Sequence, residues 1–87
     1  MNLILYSKPG CHLCQGLQEK LEQIESLDLE LEVRDITSRE DWFAAYQYEV
    51  PVLFRDNDGK EEMLPRPSPR ATVQYLERML QKYLTVN

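Results

Sequence analysis

Cys11 and Cys14 are the only cysteines of the chain, and they stand three residues apart in Tyr6-Ser7-Lys8-Pro9-Gly10-Cys11-His12-Leu13-Cys14, where an apolar run gives way to an amphipathic one. Thiol–disulfide exchange needs one thiol that ionises at ambient pH and a second placed to meet it. A cysteine at the start of a helix meets the first need: unpaired N–H groups and the helix dipole favour a negative sulfur and lower its pKa from the free value of about 8.5. A second cysteine one turn on meets the other, because three residues of helix separate Cα atoms by roughly 5 Å, within the reach of a disulfide. The competing reading is a pair of buried cysteines that act only as small hydrophobes.

Two neighbours bear on this chemistry. Lys8 either adds positive potential to a thiolate at Cys11 or is a solvated turn lysine. His12, when protonated, favours the thiolate and makes the disulfide more oxidising; the alternative is an exposed side chain with no further duty. Cys11, His12 and Cys14 could also be metal ligands, but structural zinc takes four and the chain has no other cysteine or histidine.

The elements that must position the sulfurs follow from periodicity. Leu3-Ile4-Leu5-Tyr6 is continuously apolar with turn residues behind it, which predicts a central strand over residues 2 to 7, buried on both faces. Leu13, Leu17, Leu21 and Ile24 recur at helical spacing, giving a helix to about Ser26. Leu29, Leu31 and Val33 alternate with Glu30, Glu32 and Arg34, the pattern of a strand near a sheet edge with one solvated face. Thr37 or Ser38 offers an N-cap, with Glu40 and Asp41 in capping-box spacing, for a short helix whose buried stripe is Trp42, Phe43 and Tyr46. Val50-Pro51-Val52-Leu53-Phe54 reads as a third strand with proline at its start. Asp56-Asn57-Asp58-Gly59 turns the chain so that Lys60 to Leu64 return antiparallel. Ser68-Pro69 is the N-cap and first-turn pairing of a last helix, with Val73, Leu76, Leu80 and Tyr83 as its apolar stripe.

The order β-α-β-α-β-β-α is an α/β arrangement of a mixed four-stranded sheet with helices packed on it, in a single domain over residues 1–87. With 87 residues, 43% apolar and 29% charged, the chain has the composition of an ordinary small globular domain. Its net charge of −5 argues against nucleic-acid binding or an anionic membrane surface, both of which need basic patches. The apolar run at residues 3–6 is too short for a signal-peptide core or a spanning helix, so a cytoplasmic location is expected. In that reducing compartment a cysteine pair is more naturally catalytic or metal-binding than a permanent staple.

A strand leading to Cys11-His12-Leu13-Cys14 at a helix start, with Val50-Pro51 opening a later strand, resembles a glutaredoxin-like member of the thioredoxin-fold superfamily, and the resemblance covers nearly the whole chain. It implies a thiol–disulfide oxidoreductase in which Cys11 attacks, Cys14 resolves, and Pro51 sits in cis beside the sulfurs. Lys8, His12, Val50, Pro51 and Arg66 are then the candidate substrate-binding residues. Arg66, with Arg70, either meets an anionic partner near the site or is a surface arginine. The chain departs from the family pattern in two places. Glutaredoxins commonly have Cys-Pro-Tyr-Cys at the sulfurs, and a Gly-Gly followed by an acidic residue after the hairpin, where this chain has Pro65-Arg66-Pro67-Ser68-Pro69. Three prolines remove three N–H donors from the segment that holds glutathione in the family, so weak glutathione binding is expected.

The resemblance implies a monomer acting on a disulfide-containing protein or a glutathione mixed disulfide, without a resident cofactor and with glutathione as a candidate reducing co-substrate. The competing function, from a different class, is a non-enzymatic iron–sulfur cluster carrier or redox adaptor on the same fold.

Overall fold

The computed structural model describes residues 1–84. Eight elements follow one another: β1 (Asn2–Ser7), α1 (His12–Glu22), β2 (Glu30–Asp35), a 3-10 turn (Ile36–Ser38), α2 (Glu40–Tyr46), β3 (Val52–Asn57), β4 (Lys60–Met63) and α3 (Val73–Leu84). The sheet order is β2-β1-β3-β4, with β1 parallel to β2 and antiparallel to β3, and β3 antiparallel to β4. The mixed four-stranded sheet and the β-α-β-α-β-β-α order expected from the sequence are both present.

β1 carries the fold. Leu3, Ile4, Leu5 and Tyr6 are all buried because β1 lies inside the sheet and its two faces meet different layers. Leu3 and Leu5 join Leu17, Leu21, Leu53, Leu76 and Leu80 under α1 and α3. Ile4 and Tyr6 pack with Ile36, Trp42 and Tyr46 under α2. Continuous apolar sequence is what a strand with two covered faces requires.

The β3–β4 hairpin closes through Asp58 and Gly59, both at positive φ (57° and 89°), between the paired residues Asn57 and Lys60. Two successive left-handed residues match the twist of the flanking strands, which is why an Asp-Gly pair marks this turn. The Asp56 carboxylate accepts from the Gly59 N–H at 2.9 Å.

Several local expectations are corrected. α1 stops at Glu22 rather than Ser26: the Gln23 N–H turns to the Lys20 and Leu21 carbonyls, and Ile24 enters the core from beyond the helix end. Thr37 and Ser38 do not cap α2, because their hydroxyls serve the preceding turn. Thr37 donates to the Asp35 carboxylate at 2.6 Å and Ser38 to the Asp35 carbonyl at 2.6 Å. The Thr37 hydroxyl and N–H hold the Asp35 carboxyl below its usual range. α2 instead starts after Arg39, which has no side-chain capping bond. Within α2, Trp42 and Tyr46 face the sheet one turn apart and are half-buried, whereas Phe43 is 40% exposed. α3 begins at Val73 rather than at Pro69, because Ser68 and Pro69 build a separate turn in which the Ala71 N–H donates to the Ser68 carbonyl at 2.9 Å. Thr72 is the cap, its hydroxyl accepting from the Tyr75 N–H at 3.0 Å.

The face of β2 expected to be solvated is closed at Arg34. Its guanidinium lies 5.5 Å from the centre of the Tyr6 ring and 5.2 Å from that of Trp42, and donates to the Tyr6 hydroxyl at 2.7 Å. It also pairs with Glu32 and, across the sheet, with Glu61 at 3.2 Å. Glu32 above all, with Glu61 and Tyr6, raises the arginine pKa beyond its ordinary value. Arg34 thereby lids the aromatic cluster under α2.

Candidate active site

β1 delivers the chain to the sulfurs. After Ser7 the backbone turns through Lys8-Pro9-Gly10, where Gly10 takes a φ of 78° and the Cys11 N–H donates back to the Lys8 carbonyl at 3.3 Å. A left-handed residue at this point suits glycine, which has no Cβ to clash with its carbonyl neighbour. Cys11 is then the N-cap of α1, in extended conformation, and its sulfur accepts from the Cys14 N–H at 3.2 Å. Capping positions normally use an oxygen acceptor. Here a sulfur occupies the position where an otherwise unpaired N–H and the helix dipole favour negative charge on the reduced side chain.

Cys11 and Cys14 are joined in a disulfide with Cα atoms 5.3 Å apart, close to the separation that the helical spacing predicts. The two sulfurs are not equivalent. Cys14 is wholly buried among the core residues, whereas Cys11 is half-buried at the rim of the molecule. On reduction, mild alkylation near pH 6 is therefore expected to label Cys11 first, because burial opposes both access and ionisation at Cys14. Peptide mapping of the adduct checks this, and earlier labelling of Cys14 would reverse their assigned roles.

The second part of the site comes from the turn between α2 and β3. The Val50–Pro51 peptide is cis. The Glu49 and Val50 N–H groups both donate to the Tyr46 carbonyl, at 2.9 and 3.1 Å. Arg66 reaches this turn from the segment after the hairpin. Its guanidinium donates to the Glu49 carbonyl and to the Pro51 carbonyl at 3.4 Å, and stands 4.0 Å from the Glu49 carboxylate.

His12, Val50, Pro51 and Arg66 come together along a groove of about 560 Å³ that begins at the first turn of α1. Lys8 is not among the lining residues; its ammonium donates to the Gln47 carbonyl at 3.2 Å, at the end of α2. Two further lining residues escape sequence reasoning. Helical spacing assigns Leu13 to the core, yet it is 55% exposed and faces the groove, and Tyr48, 88% exposed, stands on the turn before Val50. Proximity of Tyr48 to Val50-Pro51 in the sequence is the one signal that could have marked it. Among the described residues, no group of three or more His, Cys, Asp or Glu side chains could hold a metal ion, and no helix is long and apolar enough to cross a membrane.

The chain has recognisable relatives. The model of the glutaredoxin-like domain (DUF836) matches residues 2–81. Among solved structures, thioredoxin 1 from the thermophilic eubacterium Thermosipho africanus is 18% identical with a TM-score of 0.68, 97% of this chain and 94% of that one being covered. A structural-genomics target protein, XcR50 from X. campestris, is 30% identical with a TM-score of 0.62 over 92% of this chain and 96% of its own. A malarial protein is 13% identical with a TM-score of 0.61 over 97% of both chains. No curated protein sequence matches. The thioredoxin likeness establishes the thioredoxin-like fold, and the family model, spanning nearly every described residue and both cysteines, establishes the lineage: the chain belongs to the glutaredoxin-like domain family.

Proposed function

We propose that the protein is a thiol–disulfide oxidoreductase that reduces protein or small-molecule mixed disulfides through Cys11 and Cys14. The observation that carries this reading is the asymmetric pair itself: a half-buried sulfur capping a helix, bonded to a wholly buried one a turn further on. In the reduced protein the Cys11 thiolate attacks one sulfur of a substrate disulfide, and the other substrate sulfur leaves as a thiolate. The mixed disulfide so formed is opened by Cys14, which loses its proton, bonds to the Cys11 sulfur and expels the second substrate thiolate. The substrate gains two electrons and the protein ends with the Cys11–Cys14 bond. Restoring the dithiol takes two equivalents of a small thiol, for which glutathione is the candidate, or one dithiol protein. The buried position of Cys14 suits a resolving role, since it is closed to solvent and within bonding distance of Cys11.

Turnover of a mixed disulfide, followed as NADPH consumption with glutathione and its reductase and separately with thioredoxin and its reductase, tests the reading. Activity above the thiol-only rate with either electron source supports it. An inactive, fully reduced protein refutes it.

A further inference from the structure

We propose that Arg66 and Lys8 are positioning residues for the disulfide exchange: both act through backbone carbonyls, holding the turn at residues 47–51 against the loop that carries Cys11, and neither binds the substrate itself. The proposal rests on the disulfide-reducing reading above and replaces the substrate-binding role that the family resemblance implies for these two side chains.

The turn between α2 and β3 is held from two directions by cations that donate to its carbonyls. From one side comes the Lys8 ammonium, which donates to the Gln47 carbonyl at 3.2 Å, while the carbonyl of the same lysine accepts from the Cys11 N–H at 3.3 Å. A single residue thus links the turn to the first cysteine of the pair. From the other side comes Arg66, whose Nη2 donates to the Glu49 carbonyl and, at 3.4 Å, to the Pro51 carbonyl. The segment that carries Arg66 is anchored in its turn to α1, where Lys20 donates to the Pro69 carbonyl at 2.9 Å. Cysteine loop, turn, post-hairpin segment and α1 are therefore joined in a ring, and each junction between separate segments is a basic side chain on a backbone carbonyl. The segments so joined supply His12, Leu13, Val50 and Pro51 to one shared cavity.

The contacts of both side chains favour positioning over binding. Lys8 does not line that cavity, and its ammonium is on the Gln47 carbonyl. Arg66 does line it, but its Nη2 is shared between two carbonyls and its Nη1 stands 4.0 Å from the Glu49 carboxylate, so an acid of the turn itself takes the place a substrate anion would need. The turn has use for such ties. Its Glu49 and Val50 N–H groups both go to the Tyr46 carbonyl, which fixes its shape relative to α2, and pairing of β3 with β1 begins only at Val52. Between those two points Lys8 and Arg66 supply ties across to neighbouring segments. Exposed hydrogen bonds of this kind contribute little to folding. Attack on a disulfide, by contrast, needs the incoming sulfur in line with the S–S bond, and a small displacement of a facing wall lowers that rate steeply.

The test uses reduced protein and two symmetrical disulfides, the neutral bis(2-hydroxyethyl) disulfide and the dianionic 3,3′-dithiodipropionate, with the remaining protein thiols counted after acid quenching. In each reaction Cys11 and Cys14 lose two protons and two electrons as their own disulfide forms, and the reagent leaves as two thiols, so no other reductant is required. Arg66→Ala is expected to slow both reagents by the same factor, about five- to tenfold, and Lys8→Ala to slow both by about two- to fivefold. Lys60→Ala, which removes an exposed lysine on β4, should leave both rates unchanged. Alkylation of Cys11 by iodoacetamide, which needs a thiolate but no aligned disulfide, should also be unchanged in Arg66→Ala, and this separates positioning from a general loss of fold or of thiolate. Slowing confined to dithiodipropionate would make Arg66 and Lys8 substrate-binding residues and overturn the proposal. Disulfide rates unchanged in both variants, or an iodoacetamide rate that falls in step with them, overturn it as well. If the unaltered protein reduces neither reagent faster than a simple thiol at equal concentration, the oxidoreductase reading itself has failed, and this proposal with it.

Discussion

With Cys14 replaced by serine and no free thiol present, the protein is expected to stop halfway, covalently bound to its substrate through Cys11. The hydroxyl cannot displace a thiolate from sulfur, so the mixed disulfide survives after the first exchange. Since Cys14 is fully buried and serine is close to it in size, the variant should fold, though the core must then accommodate a hydroxyl. Intact mass should show one substrate moiety per chain, released by added dithiol. Cys11→Ser removes the sulfur that caps α1 and is expected to reduce turnover to the background rate, with no adduct at all. Continued turnover by Cys11→Ser, or an adduct mapped to Cys14, would falsify the order of events proposed for the pair.

The largest loss of stability is expected from Leu5→Ala. Leu5 has no solvent exposure and lies on β1, paired on one side with Val33 and on the other with Leu53, under the layer formed by α1 and α3. A strand held from both sides cannot move to close the void, so the cost should fall at the upper part of the usual range of about 2–5 kcal/mol for a buried leucine cut to alanine. A small domain has a total stability of about 5–15 kcal/mol, so this is a large share. The melting temperature should drop by about 15–30 °C, taking roughly 4–8 °C per kcal/mol for a domain of this size. Thermal unfolding followed by circular dichroism measures it. A drop under about 5 °C would mean that the central strand is not the keystone of the packing.

Much of this protein could be read along the chain because the governing physics is local. The apolar run at residues 3–6, the Asp58-Gly59 turn and the stripe at Val73, Leu76 and Leu80 each mark an element through neighbours a few residues away, and each element is present. The two cysteines were legible for the same reason: a three-residue spacing at a helix start sets their separation whatever surrounds them. Ends of elements were less legible. Ser68 and Thr72 are both competent caps, as are Thr37, Ser38 and Asp35 for the turns near them, and the choice between them depends on which hydroxyl another group has already claimed. Arg34 looks like a solvated residue of an alternating strand, but the rings of Tyr6 and Trp42 and the carboxylate of Glu61, brought from three other elements, make it a lid. The groove belongs wholly to the tertiary structure. Its walls come from the first turn of α1, the turn before β3 and the segment after β4, and only their convergence leaves Leu13 facing open space instead of core and turns Arg66 back onto the carbonyls of Glu49 and Pro51. Periodicity records which side of an element is apolar, while what that side meets is decided by segments tens of residues away.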